Sequence, residues 1–153
     1  MMTADTGLGL GPWTQRPLTD IAQHAEPFWE GLTRHEFLIP RCRLCGSWFW
    51  PVTICPHHDA IPDLDDTQWA VASGRGRVFA FVVVHYVMDP AFAGEVPYVL
   101  AHIELDEGPL FQGRLVGCVP SDVEIGRAVH IHFLDVPQTG VTYPVFTLAV
   151  DEG

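Results

Sequence analysis

Four residues with metal-binding side chains form two pairs at matched spacing. Cys42 and Cys45 lie three positions apart, and Cys55 and His58 repeat that spacing. Three thiolates and one imidazole are a tetrahedral donor set typical of structural zinc, and Gly46 can adopt the positive φ that such a turn often needs. Because protein atoms fill all four positions, none stays open for water. We therefore predict a zinc or iron ion that stabilises the fold and takes no part in catalysis.

Alternatives for these residues stay open at this point. His57 can replace His58 as the fourth ligand, and we prefer His58 only because it repeats the spacing of the first pair. The cysteines can also be ordinary buried residues, or the first pair can be a redox Cys-x-x-Cys. That motif usually opens a helix after a strand, whereas Arg41–Gly46 lies between extended segments, so we disfavour it. Cys118 stands apart and is expected to be a small buried hydrophobic residue.

A second candidate site is the run Gly74-Arg75-Gly76-Arg77. Glycine lets the backbone approach a ligand closely, and arginine pairs with phosphate through two parallel hydrogen bonds. The run therefore predicts contact with a phosphate-containing ligand. A flexible bend that leads into the first barrel strand explains the same residues equally well.

The remaining titratable residues do not form a catalytic pattern. No nucleophile or carboxylate recurs at catalytic spacing beside the histidines, so we expect these to be hydrogen-bonded residues on barrel faces or at an interface. The acidic group precedes Gly108-Pro109, which favours a solvated turn over paired catalytic carboxylates. The histidines are His85, His102, His130 and His132, and the acidic residues are Glu104, Asp106 and Glu107.

The elements that must position these sites are mainly β. The chain has 153 residues, of which 48% are hydrophobic and 18% charged, as in a folded globular protein. Apolar residues at helical spacing follow Thr19 or Asp20, and Pro27 among them predicts two short helices or one kinked helix. Alternating segments bounded by Gly, Pro or Asp then predict strands. The predicted strands are 78–87, 99–105, 110–116, 128–136 and 144–150.

These elements predict four parts along the chain. They are a flexible leader over residues 1–16, N-terminal helices over 17–36, a zinc ribbon over 37–62 and a five-stranded OB-fold barrel over 63–153. The first barrel strand is long enough to bend at a bulge and to serve two sides of the barrel.

The charge balance excludes some classes of partner. The chain has 19 acidic residues against 8 arginines, no lysine, and a net charge of −11, which is poorly suited to nucleic acid. The first fifteen residues lack a basic start and an apolar run, so we expect no signal peptide. The longest apolar stretch, Val78–Val84, is far shorter than the ~20 residues of a membrane span. We expect a cytoplasmic protein without a membrane partner, in which clustered cysteines bind metal rather than form disulfides.

Seven short motifs occur in an order that identifies a family. Together they run over nearly the whole chain, from about Pro17 to Val150, and they resemble the acyl-CoA-associated family that joins a rubredoxin-like zinc ribbon to an OB-fold. The motifs are EPFWEGL at 26–32, RCRLCG at 41–46, CPHH at 55–58, GRGRV at 74–78, Phe92 ahead of EVPY at 95–98, ELDEG at 104–108 and DVEIG at 122–126.

The resemblance implies an accessory subunit of a thiolase-like protein. In such pairs the ribbon and barrel help to form the acyl-CoA site, and the partner supplies the catalytic residues for acyl transfer, condensation or carbon–carbon cleavage, including aldol cleavage of steroid side chains. Phe92 and Tyr98 join Gly74–Arg77 as residues expected at the coenzyme A thioester. The apolar segments Val78–Val87 and Trp48–Trp50 exceed what a small barrel needs inside, which favours a partner interface.

The chain departs from this family pattern at two places. His58 stands where the family has a fourth cysteine, and this change keeps a competent zinc ligand. Trp50-Pro51-Val52 stands where the family has Pro-Pro-Arg, which removes an arginine able to contact phosphate. Two other functions remain as alternatives, a single-stranded nucleic-acid-binding OB-fold protein and a free-standing enzyme that acts on acyl thioesters.

Overall fold

A computed structural model describes residues 25–52, 54–58 and 62–150. The predicted leader over 1–16, and the helical segment predicted to begin near Thr19 or Asp20, lie outside the described residues. No helix in the described part of the chain is long and apolar enough to cross a membrane. The elements are α1 (Glu26–Thr33), β1 (Leu38–Cys42), β2 (Thr67–Val71), β3 (Arg75–Val84), β4 (Tyr98–Leu105), β5 (Leu110–Leu115), β6 (Ala128–Val136) and β7 (Val141–Leu148), with 3₁₀ turns at Leu64–Asp66, Pro90–Phe92 and Pro120–Asp122.

Helix α1 begins at Glu26, so Pro27 lies in its first turn and does not kink it. A first-turn residue needs no backbone donor, and the proline ring presets a helical φ, so Pro27 marks the start of this helix. The predicted helix before it lies outside the described residues, so the choice between two short helices and one kinked helix stays a prediction. The helix ends in paired hydrogen bonds from the His35 N–H to the Leu32 carbonyl and from the Glu36 N–H to the Gly31 carbonyl, both 2.9 Å. His35 occupies the left-handed position of this ending, with φ of 58°.

The ribbon contributes a two-stranded antiparallel sheet. β1 pairs with β2 from Leu38 opposite Val71 to Cys42 opposite Thr67. β2 lies within the range predicted for the barrel, but it completes the ribbon sheet, since the buried strand β1 needs a partner for its backbone groups. Otherwise the four-part division of the chain remains a prediction.

The barrel is closed and has the strand order β3-β4-β5-β7-β6. This confirms the predicted five-stranded OB-fold architecture. The first strand begins at Arg75 rather than Val78 and contains the expected bulge, because Val78 pairs with Ile103 while Ala80 pairs with His102. One extra residue, Phe79, therefore interrupts the ladder.

An aromatic cluster joins the helix, the ribbon and the barrel. The Trp50 ring lies 4.8 Å from the Phe28 ring of α1 and 5.1 Å from the Phe111 ring of β5, centroid to centroid. Phe111 also packs edge-on against Phe37 at 5.1 Å. Trp50 is thus partly buried against the core, and the predicted interface role of Trp48–Trp50 stays a prediction. The burial of Trp50 depends on contacts with distant segments, which local sequence does not reveal.

Candidate metal centre and ligand surface

The first cysteine pair lies on a tight turn at the end of β1. The Cys42 N–H donates to the Ser47 carbonyl at 2.8 Å, and the Gly46 N–H donates to the Cys42 carbonyl at 2.9 Å. Gly46 takes φ of 75°, which a residue with a side chain rarely adopts. An isolated bridge between Arg41 and Trp48 closes the hairpin. These contacts hold the first two thiols on one side of the turn.

The second pair completes a four-residue cluster. One ligand atom from each of Cys42, Cys45, Cys55 and His58 lies within 4.8 Å of every other. The Cys45 and Cys55 sulfurs are 3.7 Å apart, and His58 Nε2 lies 3.3 Å from the Cys42 sulfur. Zinc–sulfur bonds of about 2.3 Å give sulfur–sulfur edges of about 3.8 Å in a tetrahedron, so the residues fit this ion. The cluster contains His58 and not His57.

Local hydrogen bonds prepare two of the thiols for ionisation. The hydroxyl and N–H of Ser47 lower the pKa of Cys45 to about 6, although burial opposes this. Burial also opposes ionisation of Cys42, but the Cys45 and Leu44 N–H groups and the His58 ring outweigh it, and the Cys42 pKa is lowered. Metal binding requires thiolates, so these contacts favour it.

The pKa values of the other two candidate ligands, Cys55 and His58, are raised. Burial raises the pKa of Cys55, and the neighbouring thiols Cys45 and Cys42 add to the effect. The hydrogen bond to Cys42 raises the pKa of His58. Cys42 and Cys55 are buried and share a small apolar cluster with Phe49. A cation at the centre would compensate the buried thiolates without exposing them to water.

The glycines of the second candidate site serve the packing of the barrel. A Cβ on Gly74, which has φ of +74°, would lie 2.3 Å from the Ile131 side chain. A Cβ on Gly76 would lie 2.5 Å from the Glu104 carbonyl oxygen. Both positions therefore require glycine for close approach within the protein, whatever ligand binds nearby.

Arg75 and Arg77 share one exposed face of β3. They line a groove of about 330 Å³ with His130 and Asp106. The Arg77 Nη1 donates to the Gly126 carbonyl at 3.0 Å, which orients its guanidinium. The groove offers two cationic side chains to an anion, with one carboxylate at its edge.

Phe92 and Tyr98 lie at the other end of β3. Their rings stack with centroids 6.1 Å apart. Val84 pairs with Tyr98 and lies seven positions beyond Arg77, which in an extended strand is roughly 20 Å. The structure therefore separates the six predicted ligand residues into two groups.

A buried ion pair that the sequence did not indicate supports the second group. Arg114 Nη1 lies 2.9 Å from Glu95 Oε1, and the two side chains are only 10% and 7% exposed. The Arg114 guanidinium also lies 4.3 Å over the Tyr98 ring. These residues, with Cys118, line a cavity of about 450 Å³. The acidic member belongs to the EVPY motif, but nothing local marks Arg114 as its partner.

His130 and Glu107, among the other predicted titratable residues, make local hydrogen bonds. His130 Nε2 lies 3.0 Å from the Thr147 hydroxyl on the adjacent strand. The Ser73 N–H donates to the Glu107 carboxylate at 2.9 Å, next to the predicted turn. A further pair joins the end of α1 to β6, since His35 Nε2 lies 2.8 Å from Asp135 and the His35 ring stacks on Phe133.

Comparison with known families matches both halves of the chain. Residues 29–57 match the ChsH2 rubredoxin-like zinc ribbon domain, and residues 69–134 match the ChsH2 C-terminal OB-fold domain. The ribbon match covers both members of the first cysteine pair and Cys55.

Two curated relatives are similar in sequence. The chain is 37% identical over 101 residues to a DUF35 domain-containing scaffold protein of Methanocaldococcus jannaschii, covering 65% of this chain and 69% of that protein. It is 33% identical over 141 residues to a probable enoyl-CoA hydratase alpha subunit of Thermomonospora curvata, covering 92% of this chain. The chain spans only 42% of the length of that second protein.

A solved structure, an Ltp2-ChsH2(DUF35) aldolase, contains a chain of the same fold. It superposes with a TM-score of 0.72 at 32% sequence identity, and the match covers 88% of this chain and 100% of that one. The similarity therefore includes both the ribbon and the barrel.

Proposed function

We propose that the chain is an accessory subunit of an acyl-CoA enzyme, since it belongs to the ChsH2 (DUF35) family, in which a rubredoxin-like zinc ribbon precedes an OB-fold. Its partner is a thiolase-like protein of the Ltp2 type. The partner carries the catalytic residues, and the complex performs aldol cleavage of a steroid or other side-chain acyl-CoA, or a related acyl transfer or condensation.

One observation carries this proposal, the match to the whole length of a chain from the Ltp2-ChsH2(DUF35) aldolase. The similarity to an enoyl-CoA hydratase alpha subunit supports a role in acyl-CoA chemistry. The arrangement of side chains agrees with an accessory role, because His130 and Glu107 are engaged in local hydrogen bonds. The His35 ring pairs with Asp135 on the surface. Within the described residues no serine or cysteine makes a hydrogen bond to the His35 ring, so this pair lacks the nucleophile of a catalytic triad.

The metal has a structural role in this proposal. Cys42, Cys45, Cys55 and His58 would hold one zinc ion, which supplies cross-linking between the two turns of the ribbon. The ribbon packs against the barrel through Trp50 and Phe111. Ordering of the ribbon by zinc thus maintains the surface that the barrel and ribbon present together.

The basic groove on β3 contacts the phosphates of coenzyme A. Arg75 and Arg77 support this assignment because both side chains are exposed on one face, and His130 lies beside them. Phe92 and Tyr98 play a different part, since Arg114 covers the Tyr98 ring and the pair with Glu95 anchors the segment before β4. They shape this loop, and their contact with the coenzyme A thioester, at a place separate from the groove, stays a prediction.

Replacing both arginines tests the phosphate contact. We expect Arg75→Ala with Arg77→Ala to raise the Kd of the complex for acyl-CoA by about tenfold or more, because two charge-assisted hydrogen bonds are lost. Arg34→Ala is the control, since Arg34 pairs with Glu36 at the far end of α1. Equal affinities for acyl-CoA in the double variant, the control and the unaltered complex would remove the groove from the site.

Co-expression with the Ltp2-type proteins of the same genome tests the function itself. We expect one of them to elute with this chain as a stoichiometric complex on gel filtration. Separate elution of this chain from every such protein would contradict the proposal. Turnover of an acyl thioester by the purified chain alone would instead favour a free-standing enzyme.

A further inference from the structure

The outer face of β3 presents an apolar surface to solvent. The bulge at Phe79 places two successive residues on the outside, so Phe79 and Ala80 are both exposed. Phe79 is 53% exposed and Val82 is 60% exposed. Val78, Phe81 and Val83 point the other way and pack in or against the core. β3 is apolar on both faces, so some of its apolar side chains lie outside the barrel core. We call the exposed set of Phe79, Ala80 and Val82 the β3 face.

The β3 face continues onto the neighbouring strand. Ala80 pairs with His102 and Val82 pairs with Leu100, so β4 extends the same surface. A shallow cleft of about 150 Å³ lies there, and no Asp, Glu, Lys or Arg lines it. The cleft is lined by Ala80, Phe81, Val82, Leu100, His102 and Gln112. Depletion of charge together with an exposed aromatic ring is typical of the centre of a protein interface.

The second half of β3 also has a free edge. β3 pairs with β6 only over Arg75–Arg77, and Val78 exchanges hydrogen bonds with Gly126 and Arg127. Within residues 25–52, 54–58 and 62–150, no strand pairs with the remaining edge from Phe79 to Val84. Half of the backbone groups on a strand point away from its single neighbour. An exposed apolar edge of this kind is a template for a strand or loop of another chain.

Charge indicates whether the β3 face binds a second copy of this chain or a different protein. The chain has a net charge of −11, and although Glu104 on β4 lies opposite Arg77 next to the β3 face, the chain as a whole is strongly negative. Two copies that met through this face would bring like charges together. A different protein carries no such penalty. The similar chain of known structure belongs to an aldolase named for two components, Ltp2 and ChsH2.

From these features we infer that the β3 face, with the free edge of Phe79–Val84, is the surface on which the thiolase-like partner docks. The partner presents an apolar patch to it. This inference rests on the proposed function and adds the location of the interface.

A charge inserted into the β3 face tests the inference. Val82→Glu is expected to raise the Kd for the Ltp2-type protein by about tenfold or more, because a carboxylate would lose its water in an apolar interface. Val71→Glu is the matched control, since Val71 is also an exposed strand valine, at 61%, but lies on the ribbon strand β2. Phe79→Ala, which adds no charge, should weaken binding less. Zinc content and thermal unfolding of each variant show whether it folds.

The outcomes separate the inference from the function on which it rests. Failure of the unaltered chain to bind any Ltp2-type protein of its genome removes the proposed function and the inference with it. A complex that forms equally well with the unaltered chain, Val82→Glu and Phe79→Ala places the interface elsewhere and overturns the inference alone. The same holds if light scattering finds a dimer of this chain that Val82→Glu converts to a monomer, because the face then belongs to a second copy.

Discussion

The ribbon and the barrel keep their side chains in place by different means. The ribbon has a small buried cluster of Cys42, Phe49 and Cys55, two of which are candidate metal ligands. The barrel shares one continuous apolar core with α1 and β1, which includes fully buried Ile39, Ile103 and Phe146. A segment as short as the ribbon buries too little apolar surface to fold alone. We therefore expect the metal to support the turns of the ribbon, and the barrel to stay folded without it.

Loss of the metal should produce the largest effect. We expect a chelator, or Cys45→Ser, to disorder the ribbon turns and release the partner, because structural zinc in finger peptides supplies roughly 10–16 kcal/mol. Hydrogen exchange should then accelerate in β1 and the turns around the cysteines, while β4 and β5 stay protected. Cys118→Ser is the control, since Cys118 lies on the barrel side, away from the cluster.

Two results would contradict the claim that a metal ion stabilises the ribbon. Protection of β1 that survives complete removal of the metal would show that the ribbon folds by packing alone. Metal analysis that finds neither zinc nor iron in the pure protein would contradict the metal site itself.

Truncation in the barrel core should produce the next largest effect. Phe146 is fully buried and packs against Phe111 at 5.8 Å, so we expect Phe146→Ala to lower the free energy of unfolding by about 3–5 kcal/mol. Zinc content should stay unchanged in the folded variant, because Phe146 does not contact the cluster. Chemical denaturation measures the loss, and Val150→Ala, at an exposed position, is the control. A change below about 1 kcal/mol would mean that the barrel does not depend on this core.

The pair between His35 and Asp135 joins the end of α1 to the barrel and should contribute least. The Thr142 hydroxyl lowers the pKa of Asp135, and His35 adds to this effect. A lowered pKa in the folded state gives stability that is present above the unfolded value of about 3.9 and is lost as pH falls through the folded value. Since half of each side chain is exposed, we expect Asp135→Asn to cost less than about 1 kcal/mol at pH 7.

The pH dependence of that cost is the measurement. The difference in free energy of unfolding between the unaltered chain and Asp135→Asn should shrink as pH falls below about 4. Asp65→Asn, at an exposed position in the 3₁₀ turn Leu64–Asp66, is the control. A difference that stays constant down to pH 2 would show that the carboxylate charge does not stabilise this junction.

The sequence predicted what depends on local spacing and periodicity. The matched spacing of Cys42–Cys45 and Cys55–His58 predicted a cluster that the structure brings together. Apolar segments bounded by Gly, Pro or Asp predicted the five barrel strands, and the length of the first predicted its bulge. The last strand was predicted to begin at Pro144, but β7 begins three residues earlier, at Val141. A proline is tolerated inside this strand because β5 pairs with β7 only at Phe146, so the missing N–H of Pro144 costs no hydrogen bond to β5.

What escaped prediction depends on contacts between distant segments. Trp50 packs inward because Phe28 and Phe111 meet it from two other parts of the chain. Gly74 is needed because Ile131 crosses it closely, and neither residue signals the other. Arg114 on β5 pairs with Glu95 in the segment before β4, although an arginine in a strand usually faces solvent. Arg75 and Arg77 lie far from Phe92 and Tyr98 because the two groups lie at opposite ends of the ten-residue strand β3.

Dependence of acyl-CoA turnover on this chain tests the central claim most directly. The measurement adds increasing amounts of the purified, zinc-loaded chain to a fixed amount of an Ltp2-type protein and follows cleavage or transfer of an acyl-CoA. The account predicts that turnover rises until the two proteins are equimolar and then stays constant, with little activity from either alone. Full activity of the thiolase-like protein without this chain would contradict it.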